Sequence, residues 1–307
     1  MIASCFIFDS SQATQNKFEQ RRNNMSTSVN EIVTNRIIEE LEKGNIPWQR
    51  PWSTAGRYAM SHSTRKPYSL LNQMLLRPGE YLTFEECKRE GGKVKKGEKG
   101  NFVVSWAKIK KVETDEEGNE RTTIIPRLKY YYVFEVSQCE GIERNCTEEP
   151  KTYGNTPVES ADNIITAYIN RETVTFTATD SNRAYYSPSE DAVVVPDLKY
   201  FEAVEEYYST SFHELTHSTM HPDRCNRAEE RKGKKVAFGS EEYSKEELVA
   251  EIGAATLVNM IGLESDKSFK NSVSYIQSWI GKLKNDKNLI VSASSRAEKA
   301  VNYILGI

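Results

Sequence analysis

The apolar positions of the chain recur with a helical period near its start and again towards its end. In the first of these stretches they fall three or four residues apart, with charges between them, at Val29, Ile32, Val33, Ile37 and Leu41. This spacing predicts an amphipathic helix, which Gly44 ends. The same period predicts four helices in the second half of the chain, over residues 200–220, 244–261, 269–283 and 293–305.

Between the helical patterns lie stretches rich in β-branched and aromatic residues. "NFVVSWAKIKKV" and "TTIIPRLKYYYVFEV" flank the acidic turn "ETDEEGNE", and the three together predict a β-hairpin. A second hairpin is predicted at "NRAYYSPSEDAVVVPD". Its apolar residues 193–195 fit either an edge strand that pairs with an extended peptide or an ordinary buried strand.

The alternation of helices and strands predicts an α+β fold in two domains. Residues 138–157 combine Gly, Pro, Asn and charges without any period, which is typical of a domain boundary. We therefore expect a mixed helix and β-hairpin domain over residues 28–145 and a second domain over residues 158–307. Residues 1–27 are polar and predict a disordered leader, or extra sequence ahead of a working start at Met25.

Composition excludes two classes of protein. The chain has no run of eighteen apolar residues, so no membrane-spanning helix is expected, and its start lacks the features of a signal peptide. The five cysteines are scattered, odd in number and without a CxxC pair. Together these features predict reduced thiols and a cytoplasmic protein.

The net charge of −3 hides an asymmetry between the two halves of the chain. Residues 28–111 carry 16 Lys and Arg against 9 Asp and Glu, a net charge of +7, so the remainder carries −10. A basic first half joined to an acidic second half indicates that the first half contacts nucleic acid.

The segment "KGNIPWQRPWSTAGR" has two tryptophans among basic residues, held on an extended path by two prolines. Bases of a single strand stack on such rings without regard to sequence. We expect Trp48, which is closer to the preceding helix, to fill the core and Trp52 to offer a stacking surface. The candidate phosphate contacts are Arg50, Arg57, Arg65, Lys66, Lys93, Lys95, Lys96 and Lys99. Each of them could instead be an ordinary solvated charge.

The strongest chemical signal is the HExxH motif formed by residues 213–217 within the first long helical pattern. Residues four apart lie on one face of a helix, so His213 and His217 can bind one cation, with Zn²⁺ expected and another divalent metal compatible. Glu214 can then act as general base toward a water on that metal. Three of the four histidines cluster here, which disfavours the alternative of a surface helix with histidines spaced by chance.

A second helix, "SKEELVAEIGAATLV", supplies two acidic residues four apart, Glu247 and Glu251. It is similar to the ExxAD-type helix of glutamate-zincin peptidases, in which the first acid binds metal and the second supports a ligand histidine. This similarity favours Glu247 as the ligand and Glu251 as its support. However, residues 244–247 also fit a capping box, and if Glu247 serves only as a cap, Glu251 becomes the ligand.

Several blocks in a fixed order resemble the ArdC-type antirestriction proteins of mobile elements. They include "GNIPWQRPW", "TRKPYSLLNQMLL", "YLTFEE", "GGKVKKGEKG", "FHELTHST" and "EELVAEIGAATL". The resemblance covers nearly all of the chain from residue 28 onward. It implies an N-terminal single-stranded-DNA-binding domain and a zincin-like metallopeptidase domain whose HExxH helix packs on a small sheet.

The resemblance also implies a function: the shielding of incoming mobile-element DNA from the recipient's restriction enzymes. It places HExxH on His213, Glu214 and His217, and the downstream acid on Glu247 or Glu251. Two functions are compatible with these features. One is a zinc-dependent peptidase with host restriction-system proteins among its targets. The other is a non-proteolytic protector that coats single-stranded DNA and whose metal is structural.

Overall fold

The structure is a computed structural model that describes residues 28–49, 58–114, 120–145, 157–181, 183–201, 203–227, 241–263 and 273–307. The predicted leader, residues 1–27, lies outside these ranges. The described part of the chain mixes helices with small sheets, which confirms the predicted α+β class. No helix within it combines the length and the apolar character that a bilayer span requires.

The N-terminal part consists of short helices around two small sheets. Its helices are α1 (Val29–Glu42), α2 (Leu70–Leu75) and α3 (Phe84–Arg89). Its strands are β1 (Ala59–Ser61), β2 (Gly79–Thr83), β3 (Lys93–Val94), β4 (Asn101–Thr114), β5 (Glu120–Glu135) and β6 (Cys139–Glu140). Ser28 is the N-cap of α1, because its hydroxyl accepts a hydrogen bond from the Glu31 amide at 3.2 Å.

The predicted first hairpin is the centre of this part. Strands β4 and β5 pair antiparallel over fourteen positions and join β1 and β2 in a four-stranded sheet of order β1-β2-β5-β4. The outer edge of β4 is closed by a side chain of α2: the Asn72 amide exchanges two hydrogen bonds of 2.8 Å with the backbone of Val104. The edge is therefore capped at this point and does not offer its backbone to another strand.

The C-terminal part packs helices against a three-stranded sheet. Its helices are α4 (Pro157–Glu172), α5 (Val204–Ser218), α6 (Glu241–Met260), α7 (Val273–Asn285) and α8 (Leu289–Leu305). Its strands are β7 (Thr175–Thr179), β8 (Tyr185–Ser187) and β9 (Ala192–Pro196). The sheet order is β7-β9-β8, so β9 is the central strand. The edge-strand interpretation of residues 193–195 was wrong, because Val193 and Val195 are fully buried between two paired neighbours.

One hydrophobic core crosses the predicted domain boundary. Val33 and Ile37 of α1 belong to the same buried cluster as Leu248 of α6, Trp279 of α7 and Ile290 of α8. A second cluster beneath the three-stranded sheet holds α5 and α6 together. The N-terminal and C-terminal parts are thus joined by packing in addition to chain connectivity.

Candidate metal centre and nucleic-acid surface

Helix α5 presents the HExxH residues from a firmly packed position. Phe212 and Leu215, which alternate with the motif residues, are fully buried in the core beneath the sheet. The two imidazole rings therefore face the opposite side, one turn apart. The Nε2 atoms of His213 and His217 lie 3.1 Å from one another, so the two nitrogens converge on one point.

Helix α6 brings a carboxylate to the same point. Oε1 of Glu247 lies 3.5 Å from Nε2 of His217, and Oε2 lies 3.7 Å from Nε2 of His213. Donor atoms of the three residues all lie within 4.8 Å of one another. The structure thus brings together the three residues that the sequence pattern favoured as metal ligands.

The spacing and the chemistry of these donors fit a divalent metal. A tetrahedral ion with ligand bonds of about 2.1 Å has donors about 3.4 Å apart, close to the 3.1–3.7 Å separations observed. Two imidazoles and one carboxylate form a common catalytic donor set for zinc and suit other divalent transition metals as well. Among the described residues, Nδ1 of His213 and Nδ1 of His217 are buried polar atoms without a hydrogen-bond partner, whereas both Nε2 atoms face the Glu247 carboxylate and are the ones placed to bind an ion.

The buried ion pair of Glu246 and Arg227 lies on the Nδ1 side of the His217 ring. Oε1 of Glu246 lies 3.5 Å from Nδ1 of His217, and the Glu246 carboxylate accepts hydrogen bonds from Arg227 at 2.6 and 3.1 Å. Arg227 also donates to the Thr216 carbonyl at 2.9 Å and to the Thr219 hydroxyl at 2.7 Å. The guanidinium therefore ties the loop after α5 to the end of α5 and to α6.

This arrangement determines the charges around His217. Burial by itself raises the pKa of Glu246, but the nearby imidazole of His217 and the hydrogen bonds from Arg227 outweigh it and lower that pKa to about 2. Burial disfavours the charged form of His217, yet the carboxylates of Glu246 and Glu247 raise its pKa to about 10. The site is therefore rich in negative charge and favours a cation.

The acids of α6 differ from the sequence prediction in one respect. The support expected from Glu251 comes from Glu246, which the sequence reasoning did not single out. Glu251 lies one turn beyond Glu247, about 6 Å further along the helix axis. It is not among the donors that converge, and its charge acts on Tyr275 of α7.

The alternative role of Glu247 as a helix cap is also contradicted. Helix α6 begins at Glu241, so Ser244 lies inside the helix and cannot be its N-cap residue. The capping-box pattern of residues 244–247 therefore has no structural counterpart. Without that role, Glu247 is left with its two contacts to the histidine rings.

Glu214 is placed as a general base would be. Its side chain is buried and lies close enough to His217 for its charge to raise the pKa of that imidazole. In the part of the chain that the structure describes, no hydrogen bond holds the Glu214 carboxylate. Its oxygens are therefore available to accept a proton beside the cluster of three donors.

A second ion pair, between a buried guanidinium and a partly exposed carboxylate, fixes the end of α5 to the sheet. Arg224 donates to both carboxylate oxygens of Asp191 at 2.8 and 2.5 Å and to the Ser218 carbonyl at 2.8 Å. Asp191 follows the β8 strand, and its carboxylate also accepts the Tyr186 hydroxyl at 2.8 Å. Burial raises the pKa of Asp191, but these hydrogen bonds and the charge of Arg224 outweigh it and lower that pKa.

Some of the candidate nucleic-acid contacts lie within the described residues and some lie outside them. Arg50, Trp52 and Arg57 lie outside the described residues, and their role stays a prediction. The remaining candidates are all exposed: Arg65, Lys66, Lys93, Lys95, Lys96 and Lys99. Lys95 is partly engaged, because its ammonium donates to the Ser137 carbonyl at 2.7 Å.

The interpretation of Trp48 as a core residue is confirmed. Its ring is 2% exposed and packs edge-on against Trp279 of α7, with the ring centroids 6.0 Å apart. The two residues belong to different parts of the chain. Trp48 thus contributes to the core that both parts share.

Two protein-family models match the chain. Residues 27–134 match the N-terminal domain of the anti-restriction factor ArdC, and residues 162–296 match a zincin-like metallopeptidase. Two solved structures of the antirestriction ArdC protein from the R388 plasmid are also similar, each with 30% sequence identity. The metal-free structure has a TM-score of 0.67 over 90% of this chain and 96% of the other. The Mn(II)-bound structure has a TM-score of 0.68 over 91% and 97%.

Curated relatives include longer proteins. Two DNA primase TraC proteins of Escherichia coli are each 31% identical over 94% and 90% of this chain, which spans only 21% and 27% of their own length. The uncharacterized protein y4eC of Sinorhizobium fredii is 25% identical over 91% of this chain and 92% of its own.

Proposed function

The chain belongs to the ArdC family of antirestriction proteins, and on that premise we propose that it binds single-stranded DNA and hydrolyses peptide bonds. The N-terminal part binds the strand. The C-terminal part acts as a metallopeptidase on proteins that meet that DNA, with host restriction-system proteins as its targets. The result is protection of incoming mobile-element DNA in the cytoplasm of the recipient.

The observation that carries the peptidase proposal is the convergence of His213, His217 and Glu247 beside the buried carboxylate of Glu214. We assign the three converging residues as the ligands of Zn²⁺, or of another divalent ion such as Mn²⁺. When bound there, such an ion supplies Lewis acidity, which polarises a carbonyl group and lowers the pKa of water. A site with a purely structural metal has no use for a general base at Glu214.

The residues of the chain have separate roles in this proposal. Glu214 accepts the proton of the attacking water at a carboxylate oxygen and later delivers it to the leaving amine. Glu246 holds the His217 ring through Nδ1, so that Nε2 keeps its direction. Arg227 keeps Glu246 ionised and in place.

The second candidate function is a non-proteolytic protector whose metal is structural. One observation tests whether the fold needs that metal. The metal-free and Mn(II)-bound structures of the R388 protein are almost equally similar to this chain, with TM-scores of 0.67 and 0.68. The fold shared with that protein therefore does not require the ion. This weighs against a structural metal and leaves a protector whose metal centre is dispensable.

The variant Glu214→Gln separates the two candidates. It preserves side-chain size and removes the base, so we expect it to bind Zn²⁺ and single-stranded DNA as the parent does. The variant should lose the cleavage of restriction-system subunits, which mass spectrometry detects. It should also lose the protection of a transferred plasmid. Glu205→Gln, two and a half turns earlier on α5, is the matched control and should retain all four properties.

Two outcomes would contradict parts of the proposal. If Glu214→Gln protects plasmid transfer as well as the parent, hydrolysis is not the mechanism and the protector explanation is correct. If the metal-loaded parent cleaves no protein in a panel of restriction subunits and unfolded substrates, the peptidase assignment fails.

A further inference from the structure

We propose that single-stranded DNA stacks on one face of the β4–β5 hairpin, through the rings of Trp106, Tyr130 and Tyr132. We call these three residues the aromatic track. The inference rests on the proposed DNA binding and names the surface that performs it. It adds three residues that the sequence pattern did not predict as DNA contacts.

The pairing of the two strands places the three rings on the same side of the sheet. Tyr132 is opposite Phe102, Tyr130 is opposite Val104, and Trp106 is opposite Leu128. Directly paired residues, and residues two apart on one strand, share a face. Phe102, Val104 and Leu128 are buried in the core beneath α1, whereas the rings of the aromatic track are 55%, 48% and 50% exposed for Trp106, Tyr130 and Tyr132.

Neighbouring rings hold the two tyrosines in place. Tyr130 stacks on the buried ring of Phe102, with centroids 5.3 Å apart and planes inclined by 22°. Tyr132 meets Tyr130 edge to face at 6.0 Å. Because these rings are already ordered, a base that stacks on them costs little side-chain entropy. The guanidinium of Arg36 in α1 lies 4.6 Å from the centre of the Phe102 ring, on which Tyr130 stacks. It adds a cation beside the aromatic track.

Charges along the hairpin complement a polyanion. Lys108 and Lys110 follow Trp106 on the same face and are exposed, and Arg127 and Lys129 are exposed on the opposite face. Residues 105–112 and 122–129 contain no Asp or Glu. A nucleic-acid backbone therefore meets cations without a nearby repulsive carboxylate on either strand.

The other end of the aromatic track adjoins the basic loop identified in the sequence. Gly100 lies directly beneath Tyr132, since a Cβ on Gly100 would be 2.8 Å from Cβ of Tyr132. The loop that carries Lys95, Lys96 and Lys99 therefore runs to the edge of the track. Cations flank the rings at both ends, so a strand that stacks on the track meets cations before and after it.

Trp106 also borders open space. Together with Lys66, Tyr131 and the carboxylates of Glu86 and Glu298 it lines a cavity of about 490 Å³. A base stacked on Trp106 therefore borders a cavity large enough to admit it. The combination of exposed rings and flanking cations is the arrangement by which proteins bind single strands without sequence preference.

The test uses the full-length chain and a fluorescently labelled thymidine oligonucleotide, with affinity measured by anisotropy. Trp106→Ala and Tyr132→Ala should each weaken binding by about fivefold to a hundredfold, because each removes one stacked base. Trp106→Phe should restore most of the affinity. Tyr200→Ala removes a ring that is also 55% exposed but lies in the C-terminal part, and it should bind like the parent.

The salt dependence of DNA affinity distinguishes the contribution of the aromatic rings from that of the lysines. The aromatic variants should keep the salt slope of the parent, whereas Lys108→Ala with Lys110→Ala should reduce its magnitude by about 1.4, at about 0.7 for each phosphate contact. Duplex DNA of the same length should not discriminate between parent and Trp106→Ala, because bases in a duplex offer no free face.

Each outcome is decisive. If the parent does not bind the oligonucleotide, the proposed DNA binding itself fails. If the parent binds and both alanine variants bind as tightly as Tyr200→Ala, the aromatic track is not the surface, and DNA binding is located elsewhere. Equal losses for duplex and single strand would also overturn stacking on this face.

Discussion

Gly253 of α6 lies directly against Thr216 of α5. A Cβ on Gly253 would be only 2.7 Å from both Cγ2 and Oγ1 of Thr216, which is closer than such atoms approach in proteins. Thr216 cannot readily turn away, because its hydroxyl donates to the Phe212 carbonyl at 2.7 Å within a fully buried site. The absence of a side chain at position 253 thus sets the distance between the two helices that carry the proposed ligands.

Gly253→Ala should therefore push α6 away from α5 and separate Glu247 from the histidines. We expect metal affinity, measured by calorimetric titration with Zn²⁺, to fall at least about tenfold when a ligand is displaced. Overpacking should also lower the free energy of unfolding by about 1–3 kcal/mol in urea titrations. Gly281→Ala is the matched control, because its added methyl group meets no atom within 4 Å. Unchanged metal affinity in Gly253→Ala would show that the glycine does not set this distance.

Arg227→Met should destabilise the protein through the charge it leaves behind. Glu246 would remain a buried carboxylate without the guanidinium of Arg227, which donates two hydrogen bonds to it, a loss that costs about 3–5 kcal/mol. Metal affinity should fall about tenfold to a hundredfold as His217 loses its support. The same substitution at Arg144, whose side chain is 56% exposed and paired with Glu135, is the control and should cost under about 1 kcal/mol. Adding Glu246→Gln to Arg227→Met should recover part of the stability; failure to do so would contradict this explanation.

Asp191→Asn should remove an acid-sensitive contribution to stability. The pKa of Asp191 is lowered in the folded protein, so the stability gained from this carboxylate is complete above its unfolded pKa of about 3.9 and is lost as pH falls below that value. We expect the variant to be less stable than the parent by about 3 kcal/mol at pH 7, because Arg224 is 3% exposed and loses its closest partner.

The difference between Asp191→Asn and the parent should shrink towards pH 3. Urea titrations of both proteins at pH 7, 5 and 3 measure it, and only this difference reports on Asp191, since other carboxylates titrate over the same range. A difference that is constant with pH would mean that the charge of Asp191 does not contribute.

Trp48→Ala should weaken the whole chain. Its ring is buried against Trp279, so its removal should lower the free energy of unfolding by about 3–5 kcal/mol. Because the core that contains both rings is shared, fluorescence and circular dichroism should report one coincident transition in parent and variant. Trp106→Ala, which removes a half-exposed ring, should change stability far less. Two separate transitions in the parent would contradict a shared core.

The sequence predicted elements whose signals are local. The period around residues 204–218 identified the helix of HExxH, and the acids one turn apart on the next helix suggested a third ligand. Which acid faces the histidines depends on how α5 and α6 cross, and that crossing depends on the contact between Gly253 and Thr216 rather than on any local pattern. The support of His217 by Glu246 was missed for the same reason.

Long-range pairing accounts for the other differences. Residues 193–195 were compatible with an edge strand or a buried one. The structure decides for a buried strand because β7 pairs with β9 in parallel, each β7 residue lying opposite the residue seventeen positions later in the chain. The aperiodic segment at residues 138–157 suggested a domain boundary and carried no signal of the core that contains residues from both sides of it. Periodicity cannot indicate that α1 packs with helices more than two hundred residues away, because it reports only which face of a helix is apolar.

The core that contains Trp48 and Trp279 has a consequence for how the two proposed activities combine. A flexible tether would let a peptidase sample many positions around bound DNA, whereas a packed core holds the aromatic track and the HExxH helix in one body. A protein that binds the same strand is then presented to the metal centre at a local concentration fixed by geometry, as in bivalent binding. Selectivity for a target can in this way arise from where the target sits on the DNA, without a deep pocket for its sequence.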